Sequence, residues 1–106
     1  MVKSADQVDE IIKKVLDELR REVDIDAAIL FGSYATGRAH EDSDIDLAVF
    51  SKTIDKWNIE QRIKLIGRMR RVDPFVELHL YSRKALREAR PTNFPGHIIE
   101  TGKKVA

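Results

Sequence analysis

The stretch FGSYATGRAHEDSDIDLAVF, running from Phe31 to Phe50, decides how this chain is read. It is entered through the apolar run Ala27-Ala28-Ile29-Leu30-Phe31, which predicts a short buried strand. Gly32-Ser33 ends that strand. A glycine there lets the backbone turn sharply and lets a ligand approach closely. Tyr34-Ala35-Thr36 predicts a short helical turn, stopped by Gly37. A strand feeding a Gly-Ser turn at a helix start offers backbone N–H groups to an anion, and the Ser33 hydroxyl adds a donor.

Ten residues separate Ser33 from Asp44. Ser43 to Phe50 then predicts a second strand. Side chains alternate faces along a strand, so Asp44 and Asp46 share one face while Ile45 and Leu47 share the other. Neighbouring carboxylates repel unless a cation sits between them. Hard divalent ions take oxygen ligands, and magnesium is often held by one or two carboxylates plus substrate phosphates. Two such ions about 3.5–4 Å apart activate an attacking oxygen and stabilise a leaving one. A third carboxylate is expected. Phe75 to Tyr81 predicts the strand that carries it, with Val76, Leu78 and Leu80 on one face and Glu77 and His79 on the other. Glu77 is the candidate. Its competitor, Asp73, precedes Pro74 and falls in the turn entering the strand. His79 reads as a partly buried strand histidine rather than a ligand, and His40 and His97 read as surface or loop residues. No His/Cys cluster has zinc spacing.

A Gly-Ser pair alone marks only a turn, and Asp-x-Asp alone marks a solvated strand edge. Joined at this spacing, between two apolar strands and followed by an acidic strand, they point to a site. At these residues the chain resembles the minimal nucleotidyltransferase domain of the DNA polymerase beta-like superfamily, in its antitoxin type. The resemblance runs over nearly all 106 residues. It implies transfer of a nucleoside monophosphate from a nucleoside triphosphate with release of pyrophosphate. It further implies that Asp44, Asp46 and Glu77 are catalytic and hold two Mg2+ ions. Gly32, Ser33, Gly37, Arg38 and Ser43 are the matching nucleotide-binding set, with ATP as substrate. Two departures stand out. The third acidic position is commonly Asp in relatives, whereas Glu77 is one methylene longer. Many small relatives also carry a basic residue just before the second glycine, where this chain has Thr36. Arg38 follows Gly37 and either reaches a phosphate or is a solvated loop arginine.

Composition bounds the rest. A chain of 106 residues has room for one core of ordinary size, so a single domain over 1–106 is expected. Lys and Arg number 19 against 18 Asp and Glu, a formal charge of +1, which is too balanced for a general nucleic-acid binder. There is no cysteine, hence no disulfide and no thiol chemistry. No stretch reads as a signal peptide or approaches transmembrane length, so no membrane role and a cytoplasmic location are expected.

The coarse order is α-β-(short α)-β-α-β-α, an α/β (α+β) arrangement in which helices cover a small sheet. Ser4 and Gln7 fit a capping box opening the first helix. Val8, Ile11, Ile12, Val15, Leu16 and Leu19 follow on one face. A helix from Trp57 to Arg71 is expected to turn Ile59, Ile63, Ile66 and Met69 inward. Ser82 caps a short helix through Ala89, and His97 to Thr101 forms a last helical turn before Gly102. The basic clusters Arg68-Arg70-Arg71 and Arg83-Lys84-Arg87-Arg90 read as solvated helix faces. Periodicity does not set strand direction. The resemblance implies a mixed sheet with the acidic residues converging at one end, and a sheet covered by helices leaves its other face as a shallow active-site floor.

Larger relatives bring extra domains to grip the acceptor, and this sequence carries the core alone. Short relatives with this motif often accompany a helical HEPN-type toxin, and the resemblance implies, as the leading expectation, an antitoxin that attaches AMP to it. Its alternatives are nucleotidylation of a small hydroxyl compound, or a non-catalytic module that neutralises its partner by contact.

Overall fold

A computed structural model of the chain describes residues 2–106. Helix α1, Ala5–Leu19, begins at Ser4, whose hydroxyl accepts the Gln7 N–H while the Gln7 side chain accepts the Ser4 N–H. This reciprocal cap satisfies two N–H groups that no helical carbonyl reaches. The helix buries Val8, Ile12, Val15, Leu16 and Leu19. Strand β1, Ala27–Phe31, leads into the one-turn helix α2, Ser33–Thr36, and after a loop comes β2, Ile45–Ser51. A 3-10 turn, Lys52–Lys56, and helix α3, Ile59–Val72, carry the chain over to β3, Val76–Ser82. Helices α4, Arg83–Arg87, and α5, Phe94–Thr101, and the two-residue strand β4, Lys103–Lys104, complete the order.

The four strands lie in the order β3-β2-β1-β4. β1 runs antiparallel to β2 and β4, while β2 and β3 are parallel, joined through α3. The sheet is mixed, as the resemblance implies. β4 is not legible in its own residues: Lys103 and Lys104 are both exposed and join the sheet through main-chain pairing with Leu30 and Ile29.

Alternation along the strands divides the interior in two. Ala28, Leu30, Ile45, Leu47, Val49, Val76 and Leu78 meet α1 and α3 in the larger core. Ala27, Ile29, Ala48 and Phe50 face the other way and meet Ile98 of α5, with Tyr81, Ala85 and Leu86 packed around them. Tyr81 stacks on Phe50 with ring centroids 5.2 Å apart. β2 is thus central and buried on both faces from Leu47 onward, which explains its nearly unbroken apolar run. The face away from α1 is not the bare floor expected from sequence. Ile98 of α5 packs on Ile29, Ala48 and Phe50 there, while Asp46 beyond them stays partly exposed.

α3 departs from the expected face. It starts at Asn58, which forms a second capping box with Gln61, and its buried residues are Leu65 and Met69. Ile59 is 72% exposed and Ile63 60% exposed, so the inward stripe assigned to them is corrected. Both lie toward β3, which is the edge of the sheet, and among the described residues no further element covers that side. α5 begins earlier than expected because Pro95 falls within its first turn, where a missing N–H costs nothing, and Asn93 caps it through the Gly96 N–H.

Candidate active site

Register builds the site. In the parallel pair, Asp46 of β2 lies opposite Glu77 of β3, and Ala48 lies opposite His79. All three polar side chains fall on the face away from α1. Asp46, Glu77 and His79 each bring one ligand atom into a group whose members lie within 4.8 Å of one another. His79 Nε2 is 3.4 Å from Asp46 Oδ1 and 3.8 Å from Glu77 Oε1. Like charges directly opposite in a sheet are destabilising, by roughly 0.2–1 kcal/mol on the usual scale of cross-strand pairs. Burial pushes the Asp46 carboxyl above its ordinary value, the hydrogen bond from His79 opposes the rise, and the neighbouring Glu77 carboxylate adds to it. The fold thus holds a carboxylate where ionisation is disfavoured, beside a second one. A divalent ion relieves that repulsion, and two carboxylate oxygens with one imidazole nitrogen are a donor set that fits such an ion.

β1 supplies the opposite wall. Phe31 pairs in register with Asp46, and its ring meets His79 edge-on at 4.9 Å and Phe94 at 6.2 Å. The next residue, Gly32, has φ +75° and ψ −154°, a region that essentially only glycine occupies. A β-carbon there would overlap the Asp46 carboxylate. The Gly-Ser turn and the Asp-x-Asp strand are therefore in contact, and the absence of a side chain at residue 32 is what allows it. Gly37, with φ +75° and ψ 17°, ends α2 in the left-handed conformation.

The other residues marked by the sequence lie as follows. Ser33 is the first residue of α2, at the end of β1. Asp44 precedes β2 and stands outside the three-residue group. The strand begins two residues later than the expected Ser43 start, so Asp44 lies just ahead of it, and a two-residue step along a strand spans about 6.8 Å. Arg38 is exposed, and its N–H donates back to the carbonyl of Ser33, the first residue of α2. Ser43 is buried, and its hydroxyl accepts the His40 N–H at 2.9 Å, tying down the loop that delivers Asp44. Asp73 caps the end of α3, its carboxylate accepting the Phe75 N–H at 2.8 Å, in the turn expected for it.

His79 is the residue that sequence reasoning set aside, and the structure places it within the cluster. The available signal was its spacing: two residues beyond Glu77, it shares that residue's face. The basic clusters, read as solvated, contain two anchored arginines. Arg68 makes a two-pronged contact with Glu22, and Arg83 binds Asp26 at 2.6 Å. That bond and the Lys52 N–H hold the Asp26 carboxyl below its ordinary range. A cavity of about 310 Å³ lies on the α1 side of α2, lined by Val8, Tyr34, Gly37 and Lys103 and by no member of the acidic cluster.

A strand-turn-helix abutting paired carboxylates on a mixed sheet is the layout of a nucleotidyltransferase. The family described as polymerase beta, nucleotidyltransferase matches residues 12–106, and the chain belongs to it. Its fold is shared with a candidate nucleotidyltransferase from Sulfolobus solfataricus, solved as a crystal structure (TM-score 0.63, 22% identity, 82% of this chain and 81% of that one). A toxin–antitoxin crystallised with AMP-PNP is similar at TM-score 0.64 and 26% identity, over 92% of this chain and 72% of that one. A substituted form of the toxin–antitoxin MntA–HpeT matches at TM-score 0.64 and 26% identity, over 90% and 71%. No curated protein gives a significant sequence match. Among the described residues, no helix is long and apolar enough to cross a membrane.

Proposed function

We propose that this chain is the antitoxin of a toxin–antitoxin pair and that it transfers AMP from ATP to a hydroxyl on a HEPN-type toxin, silencing it in the cytoplasm. The observation that carries the reading is the register that sets Asp46 against Glu77 beside the Gly32-Ser33 turn. Likeness to a toxin–antitoxin crystallised with AMP-PNP supports both the partner class and the nucleotide.

In this reading residues 1–106 act as one minimal nucleotidyltransferase domain. Gly32 and Ser33 receive the triphosphate, Gly37 shapes the turn, Arg38 lies within reach of a phosphate, and Ser43 fixes the loop between them. Asp44, Asp46 and Glu77 hold the divalent ions, expected to be two Mg2+. When bound, such ions neutralise the triphosphate and stabilise charge on the attacking and leaving oxygens. The residues themselves position and accept. Asp46 is the less exposed of the two clustered carboxylates, at 23%, and serves as an anchor. Glu77, at 44%, is open enough to take the proton from the acceptor hydroxyl. The freed oxygen forms a bond to the alpha phosphorus while the bond from that phosphorus to the bridging oxygen breaks, and pyrophosphate leaves with the electron pair. Positioning and electrostatic stabilisation supply most of the rate in such transfers.

The test is incubation of the purified chain with Mg2+, alpha-labelled ATP and lysate from its own source, beside an Asp44→Asn control. A labelled protein band that the control lacks supports the reading and reports the partner's mass. Label on a small molecule moves the acceptor to the small hydroxyl compounds. Equal labelling by the control overturns the metal assignment.

A further inference from the structure

We propose that His79 is a nitrogen ligand to the ion held by Asp46 and Glu77, and that this position therefore favours a first-row divalent ion such as Mn2+ over Mg2+. The inference rests on the divalent-metal reading above and changes the identity of one ion in it.

Geometry comes first. In a first-row ion's shell, with ligand bonds of about 2.0–2.2 Å, adjacent ligand atoms lie about 3–3.5 Å apart. His79 Nε2 is 3.4 Å from Asp46 Oδ1 and 3.8 Å from Glu77 Oε1. The nitrogen is thus already within a few tenths of an ångström of the spacing it would have as a neighbouring ligand of either carboxylate.

The ring is also held in place. Its edge-on contact with Phe31, backed in turn by Phe94, fixes the imidazole from the apolar side and leaves Nε2 directed at the carboxylates. Phe31 is the register partner of Asp46, so the same β1 residue orients both sides of the donor set.

Chemistry then decides the ion. Mg2+ binds oxygen almost exclusively and keeps several waters, gaining little from an imidazole. Affinity for a nitrogen-containing site rises along the first-row divalent ions from Mn2+ to Cu2+, so even Mn2+, the first of them, gains more from an imidazole than Mg2+ does. A histidine that served only as counter-ion to Asp46 would confer no such preference.

The experiment uses the full chain stripped of metal by chelation. Mn2+ and Mg2+ affinities are measured by calorimetry, and the Mn2+ complex is examined by pulsed EPR for modulation from a directly bound nitrogen. We expect nitrogen modulation in the unsubstituted chain. We expect it to vanish in His79→Gln, where Mn2+ affinity falls at least the roughly 10-fold that loss of even an outer-shell partner costs while Mg2+ affinity stays nearly constant. Bound Mn2+ without nitrogen modulation, or an unchanged Mn2+/Mg2+ ratio in His79→Gln, overturns the proposal and leaves the carboxylate site standing. Mn2+ binding that survives Asp46→Asn, or no Mn2+ binding at all, removes the underlying metal reading with it. If His79→Gln does not fold, 15N-histidine labelling of the unsubstituted chain decides by whether the modulation changes frequency.

Discussion

Gly32→Ala should cost this protein far more than a glycine-to-alanine change in an ordinary turn. Two separate penalties meet at that position. The backbone at φ +75° and ψ −154° is closed to residues with a β-carbon, at about 1–3 kcal/mol. The new methyl would also occupy the space of the Asp46 carboxylate, which must leave its rotamer at a further cost of about 0.5–1.5 kcal/mol. Together they give about 1.5–4.5 kcal/mol, or a fall in melting temperature of about 6–20 °C for a domain of this size.

Gly37 is the internal control. It shares φ +75° but has open space where a β-carbon would go, so Gly37→Ala should cost only the left-handed backbone penalty of about 1–2 kcal/mol. A double-mutant cycle separates the penalties. With Asp46→Ala in the background, Gly32→Ala should be milder by about 0.5–1.5 kcal/mol, since the collision is gone and the backbone strain remains. The assay is urea denaturation of the four chains without metal. If Gly32→Ala costs no more than Gly37→Ala and shows no coupling to Asp46, the turn does not abut the carboxylate, and the joining of the two halves of the motif is wrong.

Three further outcomes are expected. The Asp26 carboxyl is held below its ordinary 3.8, so its stabilising contribution is complete above that value and is lost as pH falls from there toward its folded pKa. Asp26→Asn should therefore lower the melting temperature at pH 7 and bring its difference from the parent toward zero in strong acid, and a difference that does not change with pH would refute the Arg83 pairing. The Asp46 carboxyl is raised instead, so its ionised form costs stability at neutral pH and the cost fades as pH falls through its folded pKa. Asp46→Asn should accordingly raise the metal-free melting temperature at pH 7, with the gain shrinking in acid; calorimetry showing a loss at neutral pH would contradict the strained-carboxylate argument. On α3, Leu65→Ala should cost about 2–5 kcal/mol and Ile63→Ser within about 0.5 kcal/mol, a contrast that inverts if the expected inward face were the true one.

That last pair marks where the sequence stopped being legible. β1, α2 and the capping box of α1 could be read from local chemistry because each is a short-range pattern. Periodicity orients α3 only in part: Met69 is buried and Ile66 packs on the core as expected, but Ile59 and Ile63 of the same stripe are exposed and Leu65 takes the buried place. The choice between them depends on β3 being an edge strand, a fact of topology. β4 is set entirely by pairing with β1, and two lysines carry no trace of it. His79 failed for another reason. Its face was read correctly, but its neighbours were not, because only the β2–β3 register brings residue 79 to Asp46.

The same register explains why the site sits at this end of the sheet. On the face away from α1, β2 carries Asp46, Ala48 and Phe50 in succession, and the latter two are sealed beneath α5 and Tyr81. Asp46 lies one step beyond that cover. Had α5 continued over it, Asp46 and Glu77 would be fully buried like charges, at a cost well above that of an exposed pair. Had β2 ended earlier, neither carboxylate would have been held against Gly32. The boundary of the second core thus fixes how deeply the carboxylates are buried. It is deep enough to raise Asp46 and hold the His79 ring, and shallow enough to leave Glu77 open to a substrate.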